Sequence, residues 1–78
     1  MRAEDLLALL RAVPFRPFRV ILNSGKGYEV RHPEFVKVGR SSWNYYYMDQ
    51  PDAPYDRFDV ISLLLIERIE YIELPSAV

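Results

Sequence analysis

The residues best placed to do chemistry are the single histidine, His32, and Glu34 two positions on. A His-x-Glu pair supplies two metal ligands or an acid–base couple. A metal site, however, needs three or four convergent ligands, and the sequence holds no cysteine and no second histidine. With Pro33 between them, the residues read better as a place where a strand is capped or bent. Ser24-Gly25-Lys26-Gly27 has glycines and a lysine but lacks the spacing of a phosphate-cradling loop, so it reads as a turn. Ser41 and Ser42 have no base in evident reach. Asp49, Asp52, Asp56 and Asp59 lack the central glycine and terminal glutamate of a calcium loop and read as a solvated segment. No nucleophile, base and orienting group can be assembled, so the sequence predicts a non-catalytic protein with no cofactor and no bound metal.

A second constellation mixes cations with aromatic rings. Arg16, Arg19, Lys26, Arg31, Lys37 and Arg40 precede Trp43, Tyr45, Tyr46 and Tyr47. Single-stranded nucleic acid is bound by such mixtures, rings stacking on bases while cations track phosphates. A strand sends alternate residues to opposite faces, so either Trp43, Tyr45 and Tyr47 or Tyr46 with Asn44 and Met48 are exposed, not both sets. Arg19, Lys37, Arg40 and Tyr46 are the candidate nucleic-acid contacts. The objection is a net charge of −1.

These residues need a scaffold. Leu6, Leu9, Leu10 and Val13 recur at helical spacing and predict an amphipathic helix over residues 3–13, with Glu4 and Asp5 in its first turn and Pro14 stopping it. Phe18, Val20 and Leu22 alternate with Arg19 and Ile21, and Tyr28 and Val30 alternate with Glu29 and Arg31, which predicts two strands. Between them Asn23-Ser24-Gly25-Lys26-Gly27 offers glycines for the positive φ of a hairpin turn. The second strand runs to about residue 38 with a break at His32-Pro33, and a third covers 42–48. Residues 49–56 form a polar, proline-rich loop. The stretch 58–74 fits two patterns: a helical stripe through Leu65, Ile66, Ile69 and Ile72, or a strand rich in β-branched residues.

Seventy-eight residues make one domain near the lower size limit for a self-sufficient core. Half of the chain is hydrophobic and 14% aromatic, enough for a dense core and for an interface. Residues 1–40 carry eight Lys/Arg against four Asp/Glu, and residues 41–78 two against seven. The halves therefore differ in sign, either neutralising each other within one small fold or presenting a basic face to an anionic partner. The amino-terminal apolar run is too short for a signal peptide and no run approaches a membrane span, which predicts a cytoplasmic protein with no membrane partner.

Phe15-Arg16-Pro17-Phe18-Arg19, Ser24-Gly25, His32-Pro33-Glu34, Val38-Gly39-Arg40 and the closing Ile61–Leu64 with Ile66 and Ile69-Glu70 resemble a family of small bacterial proteins of about this length. That resemblance implies a folded domain and names no activity. The order of elements is also similar to the Sm-like fold, to which the bacterial RNA chaperones of the Hfq kind belong. It implies a mainly β, five-stranded, strongly bent Sm-like or SH3-like barrel behind an amino-terminal helix, with strands at about 18–22, 28–38, 42–48, 57–61 and 65–74. It favours a strand over the alternative, an α+β fold with a carboxy-terminal helix at 62–74. The chain departs from the Hfq pattern in carrying Leu63-Leu64 where a Lys-His pair stands, and no clear counterpart exists in Glu34–Ser42 for the uridine-site Asp and Asn. The expectation is a module acting through self-association or protein partners, with Ile69, Tyr71 and Ile72 at a homo-oligomer interface. The alternative is an RNA or single-stranded nucleic-acid binder.

Overall fold

The computed structural model describes residues 1–47 and 57–72. The fold is mainly β: two three-stranded antiparallel sheets and one amino-terminal helix. Helix α1 spans Ala3–Arg11, two residues shorter than the leucine spacing predicts. Leu6 is wholly buried and Leu9 and Leu10 pack half-buried beside it, whereas Val13 lies past the helix end and is 96% exposed. The docking is therefore carried by Leu6, since about two and a half turns of helix do not persist alone in water. No helix among the described residues is long and apolar enough to cross a membrane.

The first sheet has the order β2-β1-β6, from β1 (Phe18–Leu22), β2 (Gly27–Val30) and β6 (Ile66–Tyr71). The hairpin between β1 and β2 closes through Leu22 N–H to Lys26 O at 2.8 Å and Gly25 N–H to Leu22 O at 2.9 Å. Among the described residues only Gly25 takes a positive φ, +94°, the conformation in which a Cβ is penalised. Gly27 serves differently: a Cβ there would sit 3.4 Å from the Arg19 side chain, which crosses it. The predicted second strand is divided. His32 begins a short 3₁₀ turn at Pro33–Phe35, and the chain resumes as β3 (Val36–Val38) in the other sheet.

The second sheet has the order β3-β4-β5, from β3, β4 (Ser42–Tyr46) and β5 (Phe58–Ser62). A second 3₁₀ turn, Leu63–Leu65, leads from β5 into β6, and the Ser62 hydroxyl accepts from Leu64 N–H at 3.2 Å at its start. The helix considered for 62–74 is thus a turn followed by a strand as far as Tyr71, and residues 73 and 74 lie outside the described residues. Strand pairing traces no closed barrel among the described residues.

One core joins both sheets and the helix. Phe18, Val20, Tyr28 and Val30 of the first sheet meet Val36, Trp43 and Ile61 of the second, under Leu6 and beside Leu63 and Ile66. Trp43 is fully buried, with its ring edge-on to Tyr28 at 5.3 Å between centroids.

A bulge in β6 decides which of its residues reach that core. Ile21 pairs with Arg68 but Leu22 pairs with Ile66, so Glu67 is the extra residue. Strict alternation would put Ile66 and Ile69 on opposite faces. The bulge brings both to the inner side, and the outer face of β6 carries Arg68 and Glu70 instead. The strand is therefore apolar on one face rather than two.

Candidate interaction surfaces

Each sheet has an outward face, and the two differ in kind. In the second sheet Trp43 and Tyr45 turn toward the core, so alternation sends Asn44 and Tyr46 outward. On β5, Ile61 points inward, and Phe58 and Val60 point outward, 46% and 63% exposed. Register lines these up across the sheet: Lys37 opposite Asn44, Asn44 opposite Val60, and Tyr46 opposite Phe58. The Tyr46 and Phe58 rings lie 5.3 Å apart at 34°. Lys37 has no carboxylate in ion-pair reach among the described residues.

The first sheet's outward face is instead a ladder of alternating charge. Arg31 binds Glu29 at 2.9 Å, Glu29 binds Arg19 at 3.0 Å, and Arg19 reaches Glu70 at 3.8 Å. Glu70 then binds Arg68 at 2.9 Å, and Arg68 binds Glu67 at 2.6 Å. Hydrogen bonds from Arg19 and then Arg31 hold the Glu29 carboxyl below its usual range. Surface pairs of this kind add little stability, but they leave this face with balanced charge. Three cations and three anions meet in it, a net +1 from the first half of the chain against a net −1 from the second, so it offsets only a small part of the charge difference between those halves.

The strand edges are the second feature. Tyr47 N–H donates to Arg57 O and Leu63 N–H to Ser41 O, which fixes the parity of the β4–β5 ladder. Odd-numbered residues of β5 bond to β4, and Phe58 and Val60 direct their N–H and C=O away from the sheet. In the same way Ile72 N–H donates to Pro17 O at 3.0 Å. Ile69 and Tyr71, which face Val20 and Phe18 without bonding to them, therefore turn their backbone groups to the outer edge of β6. Among the described residues both β5 and β6 are edge strands.

A polar cluster ties β5 to the other sheet. The hydroxyls of Tyr28 and Tyr47 both donate to Asp59 Oδ2, each at 2.7 Å, and Lys26 Nζ lies 3.5 Å from the same oxygen. Burial, then the bond to Asp59, pushes the Tyr28 phenol up to about 12. The bond to Asp59 raises Tyr47 as well, and the bonds from Tyr47 and Tyr28 hold Asp59 below its usual range. Phenols so raised stay protonated and a carboxylate so supplied with donors is a poor base, which suits a tether. Asp59 therefore sits on β5 in a cluster of its own, not in a solvated loop. Asp49, Asp52 and Asp56 lie outside the described residues.

The sequence-predicted contacts are not brought together. Arg19 is engaged in the charge ladder on the first sheet, while Lys37 and Tyr46 share the outward face of the second. Arg40 is exposed in the turn between β3 and β4, close to the start of α1. Ile69 packs half-buried on the core, Ile72 is half-buried, and Tyr71 lies under the Arg16 guanidinium at 3.8 Å. His32 is exposed with its ring against Phe35 at 5.4 Å and makes no side-chain cap; the backbone bond from Phe35 N–H to His32 O closes the turn. No group of three or more metal-ligating side chains forms among the described residues. Phe58 and Val60 were missed as surface residues, although the alternation Phe58-Asp59-Val60-Ile61 carries the signal. No family model, no curated protein and no solved structure matches this chain.

Proposed function

We propose that this chain is a cytoplasmic, non-catalytic β module of the resembled bacterial family, built as a strongly bent Sm-like barrel and working by self-association through its strand edges. The barrel reading is supported by the order helix, strand, glycine turn, divided strand, strand, short strand, 3₁₀ turn, strand. The observation that carries the functional reading is the edges of β5 and β6, two of the four sheet edges among the described residues. Phe58 and Val60 on β5, and Ile69 and Tyr71 on β6, hold backbone groups that a strand of another copy satisfies. A β5 edge meeting a β6 edge is a head-to-tail contact, which closes into a ring when the rotation permits.

Light scattering on the parent, Val60→Lys and Tyr71→Glu tests this. Charges at exposed edge positions block strand addition, so each variant should reduce the mass of the assembly while keeping its fold by circular dichroism. A monomeric parent would overturn the reading.

A second reading, single-stranded nucleic-acid binding, draws on the outward face of the second sheet, where two rings share a face with Lys37, which has no carboxylate in ion-pair reach among the described residues. It expects salt-sensitive binding of an oligonucleotide that falls with Lys37→Ala and Tyr46→Ala and changes little with Arg19→Ala. Absence of binding at low salt removes it.

A further inference from the structure

Away from both edges, an open groove of about 320 Å³ lies between the start of α1, the turn after β3 and the 3₁₀ turn before β6. Backbone hydrogen bonds set its shape. Leu63 N–H donates to Ser41 O at 3.0 Å, the Met1 nitrogen to Leu63 O at 3.3 Å, and Gly39 N–H to Ser42 O at 2.8 Å. The lining divides by chemistry. Met1, Ala3 and Leu64 supply apolar surface over the buried Leu63, and Leu64 is 83% exposed. Arg2, Arg40 and Ser41 supply the polar side.

The two arginines are not equivalent. Arg2 is held by Glu4 at 3.0 Å and Asp5 at 3.8 Å, whereas Arg40 has no carboxylate in ion-pair reach among the described residues. The polar side therefore carries an uncompensated guanidinium, whose planar fork of donors matches a carboxylate. A bare anion would leave the leucine surface in water, and a neutral apolar group would cover it without engaging Arg40. A ligand with both features satisfies both parts.

We infer that this groove binds an apolar group bearing a carboxylate, the chemistry shared by an apolar peptide's carboxyl end and a short fatty carboxylate. The inference is independent of the edge-pairing reading, because neither β5 nor β6 contributes to the groove.

Titration of the full chain, followed by amide chemical shifts, tests it with four probes: N-acetyl-leucyl-leucine, its carboxamide, octanoate and uridine monophosphate. Shifts should centre on Arg40, Ser41, Leu63 and Leu64. The carboxamide should bind roughly tenfold more weakly than the acid, and Arg40→Gln should cost the acid a similar factor, as expected for loss of one charge-assisted contact. Lys37→Gln, on another surface, should bind as the parent does. Tighter binding of the dipeptide assigns the ligand as a chain end, and tighter binding of octanoate assigns it as a fatty carboxylate. Equal binding of acid and carboxamide, shifts elsewhere, no binding at millimolar probe, or preference for the nucleotide would each overturn the inference.

Discussion

Tyr28 of β2 and Asp59 of β5 stand 31 positions apart and meet through a 2.7 Å hydrogen bond that joins one sheet to the other. Tyr47 donates to the same oxygen at 2.7 Å. An edge strand is held only on one side by its ladder, so this bond fixes β5 from within the fold. Tyr45, whose hydroxyl donates to Glu29 O at 2.8 Å, adds a second tie between the sheets.

That tie is readable by alkaline titration. The Tyr28 phenol, pushed up to about 12 in the fold from 10.0 ordinarily, should ionise late when tyrosinate absorbance is followed. A folded value above the unfolded one contributes stability that is full below 10 and is lost as pH rises through about 12. Asp59→Asn should bring Tyr28 down without restoring it fully, because burial remains the larger cause. An unchanged titration in that variant would contradict the bond.

The acid side has the opposite sign. Asp59 and Glu29 both sit below their usual range in the fold. Their contribution is therefore present above the unfolded carboxylate values and is lost as pH falls through the lowered ones. Urea midpoints measured against pH should drop on the acid side in the parent and drop less in Asp59→Asn. Superimposable acid limbs would show that Asp59 is unpaired in solution.

Helix docking is tested by two truncations of unequal burial. Leu6 is fully buried and Val13 is 96% exposed. Leu6→Ala should cost about 2–5 kcal/mol, a large share of a small domain's stability, and Val13→Ala should stay within about 0.5 kcal/mol of the parent. Equal effects by chemical denaturation would mean that α1 does not pack as described.

Much of the fold was legible in the residues. Alternation in Phe18–Leu22 and Tyr28–Val30 located a hairpin, and the leucines of α1 located a helix, because periodicity reports burial directly. The bulge at Glu67 was not legible. One inserted residue reverses the facing of every position before it, and its place depends on which partner Leu22 meets rather than on local composition. The surface was only partly legible, for a related reason. Arg19 looked available for a phosphate because its two carboxylate neighbours, Glu29 and Glu70, come from different strands. Phe58 and Val60 were placed on a strand but given no face, because an edge strand resembles a covered one until its neighbours are known.

The central claim, association through the β5 and β6 edges, is tested most directly by the solution mass of the parent at tens of micromolar. Light scattering should give a multiple of the 9.2 kDa chain, falling toward one chain with Val60→Lys. A mass of 9.2 kDa for the parent would contradict the account.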